Sequence, residues 1–391
     1  MYIPSSSSGT CGTCVVVCRV NPLIDDVVAF CYPKTKVHFL DSSFRDGRRK
    51  TTKTTTTRCA CGPRVTSSFR GVYHRRVSTT TMSSATTTSN QQSDYSIIDE
   101  TFKYNESYET RVRGRSGGET CVLIVPGLTD GPESLGYAND GGVLVQSVSD
   151  DAKNANALLA TFELSTSFER YGTKTLDDDA KEIGEVMRKI SEKMPGVKEF
   201  TIVGHSTGCQ SACRFLETAS EEDARMVSRV VLQAGVSDRD WYDADNGKET
   251  MRSWIARAEA MGPEEMMPSD TPGTYGVATN AHRFLSLAKP GGDDDWFSLD
   301  LFDGTTAPTT ESRIVTALRG KCSHVDVRIV VSTADEYVPY SADVVVEHNE
   351  RVRAAFAGVA KSAETLYVNG NHDLSEVDEK DLEKFVDFVL T

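Results

Sequence analysis

Three polar residues, far apart along the chain, could together perform acyl chemistry. Ser206 lies in the pentapeptide GHSTG at 204–208, a G-x-S-x-G pattern that places a serine on a tight turn between a strand and a helix. Asp335 follows one apolar run and His372 follows another. A serine hydroxyl is a weak nucleophile until a histidine takes its proton, and an acid must orient that histidine. The order Ser206, Asp335, His372 therefore predicts a catalytic triad and an acyl-enzyme at Ser206.

Other carboxylates compete with Asp335 for the orienting role. Glu336 is its direct neighbour and has the strongest claim after it. Asp326 lies inside the predicted strand, so its side chain would point to a face of the sheet rather than past its end. Asp373 follows the histidine and is expected to be solvated. Asp335 is the preferred candidate, with Glu336 as its rival.

Two backbone N–H groups are candidates for stabilising a developing oxyanion. One belongs to Thr207, directly after the nucleophile, and the other to Leu128, in the loop that follows the strand at 119–125. The loop at 127–132 has little side-chain bulk, which suits a close approach to the reacting atoms. Taken alone, Leu128 is equally compatible with an ordinary tight turn.

Apolar runs and helix signals alternate along the body of the chain, which predicts an α/β fold with a mostly parallel central sheet and helices on both faces. The predicted strands lie at 119–125, 160–165, 200–203, 229–235, 325–331 and 365–368. The predicted helices lie at 151–159, from 175 to about 194, directly after Ser206, and at 379–390. Thr175 and Asp178 form a capping-box pattern at the start of the second helix.

About ninety residues separate the strands at 229–235 and 325–331, far more than an ordinary connection needs. We predict that an insert at about 238–320 forms a lid over the active site, although a simple surface embellishment remains an alternative. The residues predicted to line the substrate pocket are His205, Trp241, Trp296 and Phe297. Two arginines and three consecutive aspartates in the insert favour a salt-bridged scaffold: Arg239, Arg283, Asp293, Asp294 and Asp295.

The first 93 residues differ in composition from the rest of the chain. They carry a net charge of +9, whereas the remaining residues carry −23. This basic, Ser/Thr-rich segment has too few large apolar residues to form a core, so we predict a disordered leader, and its composition is typical of a plastid transit peptide. A disordered arm, or an upstream extension before a start at Met82, would explain it too. Without a functional leader, the expected location is the cytoplasm.

Cysteine usage and charge restrict the partners. Six of ten cysteines lie in the leader, and their spacing, beginning Cys11, Cys14 and Cys18, lacks the second pair that a zinc site needs. No metal site and no cofactor are predicted. The four cysteines of the body are expected to be small buried side chains of the core. This usage suits a protein of a reducing compartment. The acidic body argues against nucleic acid as a partner, and we find no apolar run long enough to span a membrane.

From about residue 95 to its end, the chain resembles the uncharacterised α/β-hydrolase family DUF1749. The similar segments lie at 126–131, 170–176, 204–210, 236–240, 282–288, 293–301 and 335–339. The resemblance implies an α/β-hydrolase fold and a serine hydrolase that acts on a small-molecule ester without a cofactor. The substrate and the oligomeric state stay open. A fold that only binds a small ligand under the lid, or an acyltransferase, remains an alternative to hydrolysis.

Overall fold

The computed structural model describes residues 96–135, 156–302 and 312–391, together with Leu144, Ser147 and Val148. Within the first 95 residues it describes only the backbone of two paired antiparallel strands, β1 (Cys14–Val20) and β2 (Val27–Pro33). The composition-based prediction of a disordered leader, and the cysteine cluster discussed with it, otherwise fall outside the described residues. All of the site discussed below belongs to residues 96–391.

An eight-stranded sheet forms the centre of this part of the chain. Its strands are β3 (Ile97–Lys103), β4 (Glu109–Arg115), β5 (Thr120–Val125), β6 (Ala157–Phe162), β7 (Glu199–His205), β8 (Val227–Gln233), β9 (Asp326–Ser332) and β10 (Ser362–Val368). They lie side by side in the order β10-β9-β8-β7-β5-β6-β4-β3. The six strands from β5 to β10 run parallel, and β4 and β3 add an antiparallel edge.

The parallel strands explain how distant residues meet. β7, β8, β9 and β10 are consecutive neighbours, so their carboxyl ends lie at one edge of the sheet. In open parallel sheets this edge is where ligands bind. The central strands β5 and β7 are almost entirely buried, as expected for strands that are covered by helices on both faces.

Nine helices are described in residues 156–302 and 312–391. They are α1 (Leu176–Lys193), α2 (Thr207–Thr218), α3 (Glu221–Arg225), α4 (Asp238–Asn246), α5 (Lys248–Glu259), α6 (Ala281–Ala288), α7 (Arg313–Leu318), α8 (Ala342–Ala357) and α9 (Glu379–Leu390). Short 3-10 turns occur at Phe168–Thr173 and Leu299–Leu301. The predicted capping box of α1 is confirmed, since Thr175 accepts from the N–H of Asp178 and Asp178 accepts from that of Thr175.

Helices α4 to α7 lie between β8 and β9, so the long connection contains four short helices joined by turns and loops. Helices α4, α5 and α6 form a separate apolar cluster with Tyr171, and this cluster includes Tyr242 and Phe284; Leu128 packs against it. The predicted ion pairs form within this insert: Arg239 pairs with Asp295 and with Asp300, and Arg283 pairs with Asp294. The Arg283–Asp294 pair is almost completely buried.

The structure corrects some element assignments. The helix predicted at 151–159 is wrong at its end, because β6 begins at Ala157. Alanine and leucine favour helices locally, but all six side chains of β6 are buried, and burial within the sheet outweighs that preference. The edge strands β3 and β4 and the helix α8 were not predicted.

Candidate active site

Ser206 lies on the sharp turn between β7 and α2. Its backbone angles, φ 52° and ψ −125°, are strained for a residue with a side chain. The Ser206 N–H donates to the Gln233 carbonyl at the end of β8, which fixes the turn to the neighbouring strand. A Cβ atom at Gly204 would lie 2.4 Å from the Gly208 carbonyl oxygen. Only glycine at 204 lets the strand and helix cross this closely.

The loop after β5 lies directly against this turn. A Cβ atom at Gly127 would lie 2.9 Å from the Ser206 Cβ, so the backbone next to Leu128 reaches the nucleophile. Thr207 is the first residue of α2, and the N–H groups of a helix's first turn lack partners within the helix. The two predicted oxyanion donors, Leu128 and Thr207, thus belong to segments that meet at Ser206.

His372 and Asp335 form a hydrogen-bonded pair at the same edge of the sheet. The imidazole Nδ1–H donates to Asp335 Oδ2 at 2.8 Å, and the Asp335 side chain is only 3% exposed. The neighbouring Glu336 accepts from the His372 backbone N–H at 3.0 Å. The rival acid therefore holds the loop of the histidine, while Asp335 contacts the ring.

No hydrogen bond joins the Ser206 hydroxyl to His372 among the described residues. The ring of His205, the residue before Ser206, lies 4.9 Å from the ring of His372, centroid to centroid. The pair formed by His372 and Asp335 therefore lies beside the residue that precedes Ser206. Catalytic hydrogen bonds are often long in the absence of substrate and shorten when substrate binds.

The two histidine rings have opposite pKa shifts. Burial lowers the pKa of His372, but the hydrogen bond and charge of Asp335, with help from Glu336 and Asp130, raise it above its ordinary value overall. Burial, together with the nearby charge of His372, lowers the pKa of His205. His372 is therefore the ring that more readily carries a proton, as a general base must during acyl transfer.

Gln233, at the end of β8, connects these groups and was not predicted from the sequence. It is fully buried. Its Nε2 donates to the His372 carbonyl at 2.9 Å, so its Oε1 is left to accept from Nδ1–H of His205. Its own carbonyl accepts from Ser206. The signal in the sequence was a polar residue that ends an otherwise apolar strand.

Asp130 is a second site residue that sequence reasoning missed. It lies in the same loop as Leu128, and its Oδ2 lies 3.7 Å from Nε2 of His205. The Ser134 hydroxyl donates to the same carboxylate at 2.8 Å. Because its charge acts on both His205 and His372, it adds negative potential beside the two histidine rings.

The four predicted pocket residues lie in different places. His205 is buried beside the nucleophile, as described above. Trp241 lies at the rim, where its indole N–H donates to the Tyr275 hydroxyl at 2.7 Å and its ring contacts Tyr337. The Tyr337 ring in turn meets His372 edge to face at 4.7 Å. Exposed aromatic side chains therefore border the histidine.

Trp296 does not line the site. Its side chain is fully buried in the main core, and the guanidinium of Arg313 lies over its ring. Phe297 is buried too and lines a small, mainly apolar cavity next to Asp335. The sequence suggested surface-lining aromatics, but these two rings fill core space between the insert and the sheet.

The remaining acids and histidines have ordinary structural roles. Asp326 pairs with Arg229 and Arg328, and Asp373 is exposed. His324 and His348 bond to backbone carbonyls, and His282 lies near Asp293. Within the described parts of the chain, no group of three or more His, Cys, Asp or Glu side chains has a metal-binding arrangement. None of the described helices combines the length and apolar character needed to cross a bilayer.

Comparison with known families places the chain. A model described as a protein of unknown function, DUF1749, matches residues 82–390. The chain belongs to the DUF1749 family. The match begins at residue 82, slightly before the boundary predicted from composition.

Two curated proteins are similar in sequence. One is the UPF0613 protein PB24D3.06c of Schizosaccharomyces pombe, 26% identical over 57% of this chain and 71% of its own length. The other is the fusarinine C esterase sidJ of Aspergillus fumigatus, 29% identical over 57% of this chain and 72% of its own length.

Two solved structures show the fold. The siderophore hydrolase EstB from Aspergillus fumigatus superposes with a TM-score of 0.55 at 21% identity, over 75% of this chain and 97% of the other. An alpha/beta hydrolase fold protein of unknown function superposes with a TM-score of 0.50 at 17% identity, over 75% of this chain and 94% of the other. The predicted α/β-hydrolase fold is confirmed.

Proposed function

We propose that this protein is a serine hydrolase that cleaves carboxylic esters of small molecules through Ser206. The observation that carries the proposal is the His372–Asp335 hydrogen bond, formed at the sheet edge where the strained turn holds Ser206. A structural histidine would not need a nearly buried carboxylate on one nitrogen and a serine turn nearby. The acidic surroundings formed by Asp130 and Glu336 suit neutral or cationic esters better than anionic ones.

In the proposed reaction, His372 Nε2 takes the Ser206 proton as the oxygen attacks the ester carbonyl. The N–H groups of Leu128 and Thr207 would stabilise the oxyanion, and each such donor is typically worth about 3–4 kcal/mol. His372 then returns the proton to the departing alkoxide, which leaves an acyl-enzyme and an alcohol. Water, deprotonated by the same ring, releases the acid and restores Ser206. Asp335 stabilises the imidazolium in both steps.

The relatives support the class of bond but not a particular substrate. One relative is named an esterase of fusarinine C, and it shares 29% identity over 57% of this chain. At this distance we carry over the ester bond alone. Differences in the lid are sufficient to change the compound that is bound, since function in such folds depends on the site rather than the fold.

The proposal is tested by hydrolysis of 4-nitrophenyl esters and by labelling with a fluorophosphonate probe. Ser206→Ala should lower kcat by at least about 10³-fold and abolish labelling. Equal hydrolysis by the wild type and Ser206→Ala would refute the proposal. Cys213→Ser is a control on the same helix, because this buried thiol lies two turns beyond the serine, outside the proposed triad.

We also propose that residues 1–93 direct the protein to plastids. The support is compositional, since this segment is basic, rich in Ser and Thr, and poor in acidic residues. Fusion of residues 1–93 to a fluorescent protein should send it into plastids, whereas a fusion that begins at Met82 should stay in the cytoplasm. A cytoplasmic location for both fusions would refute the proposal.

A further inference from the structure

Three polar atoms are buried beside the proposed site without a hydrogen-bond partner among the described residues. They are Gln210 Oε1, the Tyr242 hydroxyl and Arg283 Nε. The exposed fractions of these residues are 0%, 2% and 2%. A buried polar group without a partner is costly, so native proteins almost always supply one. These three atoms are therefore available to a polar group, either a buried water or part of a ligand.

The three side chains converge on Asp238, and together the four residues are here called the polar cluster. Gln210 Nε2 donates to Asp238 Oδ2 at 3.3 Å. The Oε1 atom of the same amide has no hydrogen-bond partner in the described part of the chain. Tyr242 lies one turn after Asp238 on the same face of α4. Arg283 lies close enough for the charges of the two residues to interact. Its Nη1 is bound to Asp294, whereas its Nε is free.

The polar cluster adjoins the reacting atoms. Gln210 is four residues after Ser206, in the first turn of α2. Asp238 is near enough to His372 for their charges to interact. Leu128, which supplies a proposed oxyanion donor, packs against the apolar cluster that contains Tyr242. The polar cluster therefore lies within about one helical turn of Ser206, near the groups that would act on a bound ester.

The chemistry of the cluster selects the kind of group it would bind. Gln210 Oε1 accepts, Arg283 Nε–H donates, and the Tyr242 hydroxyl can do either. A hydroxyl group is complementary to this mixture, since it donates and accepts. An unsubstituted aliphatic chain would leave all three atoms without partners, and sites built for hydroxyl groups discriminate strongly against such chains.

We propose, building on the serine-hydrolase function above, that the polar cluster binds a hydroxyl group on the acyl part of the substrate. The enzyme is then selective for esters of hydroxy acids. Gln210 and Tyr242 are specificity residues in this proposal, and Ser206, His372 and Asp335 perform the chemistry.

The test compares two isosteric esters, 4-nitrophenyl 3-hydroxybutanoate and 4-nitrophenyl 3-methylbutanoate. The wild type should favour the hydroxy ester in kcat/KM by about tenfold or more, and Tyr242→Phe should reduce that ratio by about five- to tenfold, the usual effect of one hydrogen bond. Tyr104→Phe is the matched control. It removes another buried phenol hydroxyl, bonded to the Glu163 carbonyl at 2.6 Å and remote from the cluster, and should leave the ratio unchanged.

Equal rates for the two esters, or a preference that survives in Tyr242→Phe, would overturn the proposal and assign the unpartnered atoms to buried water. If neither ester is hydrolysed, the hydrolase function fails for these substrates, and binding decides the inference separately. Methyl 3-hydroxybutanoate should then raise the melting temperature of Ser206→Ala more than methyl 3-methylbutanoate does. Equal shifts would overturn the inference.

Discussion

His372 should determine how activity depends on pH. Burial lowers its pKa, but Asp335, Glu336 and Asp130 raise it overall above the ordinary value for histidine. A general base must be neutral, so kcat/KM should fall as the pH drops through this raised pKa. The acid limb of the profile is therefore expected above pH ~6.5. The position of this limb is measured from the pH profile of kcat/KM for a neutral ester.

Asp335→Asn tests the cause of that shift. Asparagine has no negative charge, so the His372 ring loses both the nearby charge and the charged acceptor of its hydrogen bond. Activity should fall by about 10²–10⁴-fold, and the residual acid limb should move to lower pH, because burial then dominates the His372 pKa. A limb that stays in place would show that another group controls the profile.

Gln233 is predicted to position the site without touching substrate. Gln233→Leu would remove the bonds to the His372 carbonyl and to the His205 ring while keeping the side-chain volume similar. Because small displacements of catalytic groups are costly, kcat should fall by about 10–100-fold while KM changes little. Steady-state kinetics with circular dichroism as a folding control measures this. A rise in KM at constant kcat would contradict a positioning role.

At the scale of elements, the sequence predicted the strands and helices that have strong local signals. The apolar run before Ser206 and the capping box of α1 are of this kind, and both were recognised correctly. The antiparallel strands β3 and β4 were missed because much of their surface is polar or half-exposed. The beginning of β6 was assigned to a helix because its Ala and Leu residues favour helices when burial is not considered.

The candidate site divides in the same way. The types and order of Ser206, Asp335 and His372 could be predicted, since the chemistry requires them. Gln233 and Asp130 could not, because their roles depend on which strands are neighbours. Trp296 was placed in the pocket because large aromatics in an insert often contact ligands, whereas here the ring completes the core.

The insert should depend strongly on one buried ion pair. Asp294→Ala would leave Arg283 buried and without its partner, which typically costs about 3–5 kcal/mol of stability. Asp293→Ala is the neighbouring control, because that carboxylate is about half-exposed beside His282 and should contribute about 0–1 kcal/mol. Chemical denaturation of the three proteins measures the difference. Equal losses for the two variants would contradict the assigned roles.

At the scale of the whole molecule, the chain has two segments of opposite net charge, to which we assign two functions. Residues 1–93 are basic, and the remainder, which contains the sheet and the proposed site, is strongly acidic. The family match covers 82–390, so the region shared with relatives coincides with the acidic part. Folding and chemistry should therefore depend on residues after about 93, and any addressing function on those before.

Shortened chains test this separation. Removal of residues 1–93 keeps β3, which pairs with β4 along its full length, so the melting temperature and ester hydrolysis should stay within about 2 °C and twofold of the full chain. Removal of residues 1–103 deletes β3 and takes Ile98 and Phe102 from the core. The melting temperature should then fall by roughly 5–10 °C, because two apolar contacts are lost and the edge of β4 is exposed.

A third shortened chain begins at Met82. If the 94–391 protein is unstable, this chain shows whether the missing stability comes from residues 82–93 or from residues before 82. Should the 94–391 protein melt well below the full chain while the 82–391 protein does not, residues 82–93 belong to the folded part, as the start of the family match at residue 82 would suggest. Should both melt early, residues before 82 stabilise the sheet, and the proposed division of the chain is wrong. Thermal melts of all four proteins decide between these outcomes. They are measured at one protein concentration, because self-association makes the melting temperature depend on concentration.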